Sequence, residues 1–62
     1  MTDAEIVARM RKALATWQAQ AEGMRKAAAA DLEKNNIEGA ISMAQQAVVI
    51  EAMAAFLHKL LE

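Results

Sequence analysis

The sequence predicts an all-α fold: an antiparallel two-helix hairpin that self-associates into a helix bundle, most simply a four-helix dimer. Three observations predict it. Proline is absent, glycine occurs twice, and Ala, Glu, Lys, Gln and Met abound, a composition that favours helix throughout. Apolar residues recur at alternating spacings of three and four along two long stretches, which stacks them on one side of an α-helix. Between the stretches stands Glu33-Lys34-Asn35-Asn36, where the apolar phase shifts and where Asn favours a turn.

The first helix is expected over about residues 3–33. Thr2-Asp3-Ala4-Glu5 fits a capping box, with Thr2 accepting a backbone N–H and Glu5 reaching back. Asp3 and Glu5 also suit the positive end of the helix dipole. Val7, Met10, Leu14, Trp17, Ala21, Met24 and Ala28 form one apolar stripe. A single stripe marks an outer helix with one packed face. Glu5 with Arg9 and Glu22 with Lys26 are i, i+4 pairs in the favourable orientation. Gly23 lies off the stripe. It reads as a tolerated weak point in the helix, or else as a place where a partner approaches closely.

The turn is expected at about residues 34–36, with Asn35 as the cap of the second helix, three residues before Glu38. So short a turn makes the helices antiparallel neighbours. An unbroken helix is the competing structure and would run about 90 Å at ~1.5 Å per residue. Folding at residue 35 sets Ala28 against Ala40 and Ser42, Met24 against Ala47, and Trp17, Leu14 and Met10 against Met53, Phe56 and Leu60. Gly39 would let the helices close tightly near the turn.

The second helix, about residues 36–61, is the centre of the design. Ala40, Met43, Ala47, Ile50, Ala54, Leu57 and Leu61 form one full seam. Ile37, Ile41, Ala44, Val48, Ala52 and Ala55 form a second, and Val49, Met53, Phe56 and Leu60 a third. The polar side shifts near Ile50, from Glu38, Ser42, Gln45 and Gln46 to Glu51, His58, Lys59 and Glu62. One neighbouring helix cannot cover this much apolar surface. The expected oligomer interface is therefore Ala47, Val48, Ile50, Met53, Ala54, Phe56, Leu57, Leu60 and Leu61, with Trp17 from the first helix. Glu51 reads as an exposed residue on the shifted stripe, or as an ion-pair partner for an arginine of a neighbouring chain.

Size points the same way. At 62 residues the chain forms one domain. A core this small rarely yields more than ~3–5 kcal/mol, so small proteins add disulfides, metals or oligomerisation. There is no cysteine and one histidine, which leaves oligomerisation. The same absence fits a reducing cytoplasm. Asp3 and Glu5 stand where a secretory signal needs a basic and then an apolar run. The apolar run 47–57 is short for a membrane span and carries Glu51, so no membrane is expected.

No nucleophile–base pair, phosphate loop or metal-ligand cluster is present in the sequence, so no enzyme activity, cofactor or metal is expected. Ser42 and His58 lie far apart on one helix. His58 and Lys59 suit the negative end of its dipole. The methionines read as core filler that also suits an adaptable binding face. The expected function is binding: an adaptor, regulator or inhibitor of another macromolecule, with itself or another helical protein as partner. The alternative is a nucleic-acid binder. Its candidate face is Arg9, Lys12, Arg25 and Lys26, although residues 1–34 carry a net charge of only +1 and no aromatic platform for bases. A purely structural or designed bundle is a third class.

In size and layout the chain resembles the Rop-like hairpins that dimerise into four-helix bundles, a resemblance that implies paired RNA loops as ligand. Locally, Asn36-Ile37-Glu38-Gly39-Ala40-Ile41 followed by Gln46-Ala47-Val48 resembles the turn and second helix of a tetratricopeptide repeat, with small residues at Ala40 and Ala47. Met24, Ala27 and Ala28 stand where that repeat has its aromatic and Leu-Gly positions. Short Ala-rich hairpins without cysteine are also similar in style to accessory proteins of phages and mobile elements, which implies an inhibitor of a host system. Ile50→Glu is expected to dissociate the oligomer. Light scattering on a sizing column reads this as a fall in mass, and unchanged mass and helicity would refute the central seam.

Overall fold

The computed structural model describes all 62 residues and contains two helices, α1 (Asp3–Glu33) and α2 (Ile37–Leu61). The molecule measures 49 × 15 × 14 Å. A 31-residue helix is about 47 Å long at ~1.5 Å per residue, so the long dimension is one helix, and the chain is a hairpin.

The start of α1 follows its capping sequence in part. The Glu5 backbone N–H donates to Thr2 Oγ1 at 3.2 Å. The Thr2 hydroxyl donates in turn to Glu5 Oε1 at 3.2 Å, so Glu5 closes the box on a side chain rather than on the Thr2 backbone. The turn differs from expectation by one residue. Asn35 adopts left-handed backbone, with φ 61°. The Asn35 N–H donates to the Leu32 carbonyl at 3.0 Å and the Asn36 N–H to the Asp31 carbonyl at 2.8 Å. This pair of bonds ends α1 in a Schellman motif, which needs a residue tolerant of positive φ. Asn36, not Asn35, then caps α2: its Oδ1 accepts the Gly39 N–H at 3.1 Å. Two adjacent asparagines thus divide the work, one reversing the chain and one starting the next helix.

The packed seam is built of alanine. Ala21, Ala28, Ala40, Ala47, Ala54 and Leu57 are the buried residues. Within each helix the alanines recur every seven positions, the repeat of a left-handed supercoil. Small side chains on both sides let the two backbones approach closely, and Ala47 is fully enclosed, with 0% exposure. The expected α1 stripe is the observed one. Met10, Leu14, Trp17 and Met24 are half-buried beside Ala21 and Ala28, while Val7 near the open end is exposed.

The expected partners on α2 need correction. Ser42, Met53, Phe56 and Leu60 are exposed and lie outside the seam. Ala54, Leu57 and Leu61 take the inner positions instead. Phe56 is two residues from Ala54, about 200° around a helix, so both cannot face α1.

The glycines have opposite surroundings. A Cβ on Gly23 would meet nothing within 4 Å, so no part of this chain approaches it. A Cβ on Gly39 would lie 2.5 Å from Asn36 Nδ2 and 2.9 Å from Asp31 Oδ2. The space beside Gly39 is filled by the capping amide and a carboxylate from the last turn of α1. Gly23→Ala should stabilise the fold by about 0.5–1 kcal/mol, whereas Gly39→Ala should displace the cap and destabilise it by about 1 kcal/mol. Urea denaturation of the two variants checks both signs, and a destabilising Gly23→Ala would show that this position is approached from outside the hairpin.

Candidate functional site: two unlike flanks and an uncovered helix face

Two packed helices leave a groove on each side of their seam. One groove is lined by Gln18, Ala21, Glu22, Arg25, Glu51, Ala54, Ala55 and His58. Arg25 Nε donates to Glu51 Oε2 at 2.7 Å, and Nη2 donates to Glu51 Oε1, a bidentate pair across the helices. Side chains lean toward the N-terminus of their own helix. In an antiparallel hairpin Arg25 therefore leans to the open end and Glu51 back to the turn. That convergence lets residue 51 pair with residue 25, although folding at residue 35 sets residue 45 level with it.

The pair revises the reading of Glu51. Its arginine comes from the same chain, not a neighbouring one. It also accounts for the shifted polar side of α2, because Glu51 and His58 line the groove shared with α1. The hydrogen bond from Arg25 holds the Glu51 carboxyl below its ordinary pKa; partial burial opposes this and the guanidinium charge adds to it. Arg25 is raised in turn by the hydrogen bond to Glu51 and by its charge.

The other groove follows from helical phase. On α1, Gln18 and Arg25 lie three residues before and four after Ala21; on α2, Glu51 lies four after Ala47 and His58 four after Ala54. These offsets share the polar groove. The complementary offsets therefore share the opposite flank. They are Trp17 and Met24 on α1, and Met43, Ile50 and Leu57 on α2. No charged residue interrupts that set. Farther out on the same side of α2, Met53 and Leu60 are exposed, followed by Val49 and Phe56.

The expected interface residues divide accordingly. Ala47, Ala54 and Leu57 are buried against α1 and cannot touch another molecule while the hairpin is folded. Trp17, Ile50 and Leu61 are half-buried. Val48, Met53, Phe56 and Leu60 are exposed. Ile41 and Val49, outside the expected interface, are equally uncovered. Ile41, Ala44, Val48 and Val49 line a shallow apolar depression with Gln45.

The cations do not form one face. Arg25 is turned into the polar groove by Glu51, and Lys26 Nζ lies 3.3 Å from Glu22 Oε1. Arg9 and Lys12 lie more than two turns away on the outer side of α1. At the far end His58 Nε2 lies 3.5 Å from Glu62 Oε1. The whole of α2, unlike the run 47–57, is long and apolar enough to cross a membrane, a property that the core helices of soluble proteins share.

Comparison with family models, curated proteins and solved structures gives no match to this chain. The site is therefore described by its own geometry.

The Arg25–Glu51 pair gives a pH dependence with a definite sign. A carboxyl whose folded pKa is depressed stabilises the fold fully above its unfolded value and loses that contribution as pH falls through the folded one. Glu51→Gln should melt below wild type at neutral pH, and the gap should close as pH drops below the usual carboxylate range, near 4.5. Thermal melts across pH 2–7 check this, roughly spanning the carboxylate titration. A constant gap would mean that the pair contributes nothing through its charge.

Proposed function

We propose that this chain is a self-assembling helical binding module that presents α2 to another macromolecule as an adaptor or regulator. One observation carries the reading: the outward side of α2 is apolar and uncovered. Ile41, Val48, Val49 and Phe56 are 53%, 56%, 59% and 67% exposed. Scattered apolar residues are normal on protein surfaces, but contiguous apolar ones mark interaction sites. Here they lie on one rigid helix in two rows, Ile41 with Val48 and Val49 with Phe56, each pair two turns apart, the form that suits an apolar helix or groove on the partner. Rigid presentation also lowers the ordering cost of binding.

The polar groove supports the same reading by contrast. Its charged residues satisfy each other, so they present a closed, hydrated flank. The apolar depression at Ile41 and Val48 lies on the far half of α2 from Phe56 and Leu60. One edge of α2 is thus left for a partner even when the other is covered.

The test is loss of a defined interaction. A macromolecule retained by the immobilised hairpin should be released by Ile41→Glu and by Val48→Glu, with far-UV circular dichroism unchanged in both. Retention that survives both substitutions would overturn the presentation of α2.

A further inference from the structure

We infer that the flank bearing Trp17 and Ile50 is the face on which a second copy of this chain docks, while the Arg25–Glu51 flank stays in solvent. The inference rests on the self-assembling reading above and adds which face pairs.

Area supports a second copy. The hairpin exposes 4707 Å². A compact protein of 6.7 kDa exposes about 3,900 Å² by the usual scaling of surface with mass. The excess is about 800 Å², which is what one partner contributes to a standard interface. It arises from shape, since a body 49 Å long is only 15 Å across. A second hairpin laid alongside removes that excess over the whole length at once.

Chemistry selects the face. Docking on the polar flank would bury Arg25 and Glu51, and desolvating a charge pair costs more than it returns unless every hydrogen bond is kept. Docking on the opposite flank buries the parts of Trp17, Met24 and Ile50 that α1 and α2 leave open, together with exposed Met53 and Leu60. This flank carries no charge between Met10 and Met24 on α1 or between Met43 and Leu57 on α2. A two-fold pair uses the same patch on both copies, so an uncharged patch meets no like-charge repulsion.

Trp17 is the only tryptophan, so its fluorescence reports this face alone. Light scattering should give twice the chain mass for wild type. On dilution the mass should halve and the Trp17 emission should move to longer wavelength over the same concentration range. Met53→Glu and Leu60→Glu should each yield a monomer with hairpin helicity. Ala15→Glu, exposed on the other edge of α1, should leave the mass doubled. Wild type that is monomeric at every concentration overturns both this inference and the self-assembling reading. A dimer that survives both α2 substitutions, one dissociated by Ala15→Glu, or one whose Trp17 emission stays fixed while the mass halves overturns the face alone. If the α2 variants lose helicity, the wild-type dilution decides by itself.

Discussion

Two helices approach closely only where both present small side chains, and the heptad alanines of this hairpin impose that condition along most of its length. Ala21 and Ala28 on α1 and Ala40, Ala47 and Ala54 on α2 fill the seam. A buried alanine removes little apolar area from water, so each contributes modestly to the transfer term. Its contribution is to let many backbone and Cβ atoms meet at van der Waals distance. The consequence reaches the rest of the chain. With alanine at the centre, Trp17, Met24, Met43 and Ile50 are set to one side of the seam, where one hairpin leaves them partly open.

The edges then diverge because of one ion pair. Arg25 and Glu51 close one edge with polar atoms, and Gln18, Glu22 and His58 extend that character along it. The other edge carries Trp17, methionines and aliphatic residues with no charge over the same length, and its polar residues near Ile50 are the uncharged Ser42, Gln45 and Gln46. The pair lies exposed to solvent and salt, so it adds little to holding the helices together.

The hairpin was legible in the sequence wherever one periodic signal stood against a polar background. The α1 stripe from Met10 to Ala28 was read correctly because the remaining faces of α1 are polar or alanine. The turn is legible from Asn35-Asn36, but the sequence pattern points to Asn35 as the cap where Asn36 takes that role. Which asparagine goes left-handed depends on where the last carbonyls of α1 find donors, and composition does not carry that. On α2 the one full seam, Ala40 to Leu61, is the face packed on α1, with every member buried or half-buried. The third seam, Val49 to Leu60, is expected from the sequence to reach α1 as well, because a helix apolar on most sides gives a weak phase, and it is exposed throughout. The partner of Glu51 was hidden for a geometric reason: opposite lean on antiparallel helices joins residues whose backbones are well out of level.

The side chains that complete this hairpin are also ones that it leaves partly open. A hairpin that buries five alanines and one leucine has little core of its own, and domains near this size are marginal without added support. Trp17, Met24 and Ile50 are already largely covered within the hairpin. Covering what remains of them adds burial without ordering a new segment, because both helices are formed. Anything that binds the folded hairpin alone raises its stability by mass action. Self-pairing on the Trp17 flank would therefore support the hairpin that positions the Ile41–Val48 edge, and the surface offered to a partner would be most stable in the assembled form.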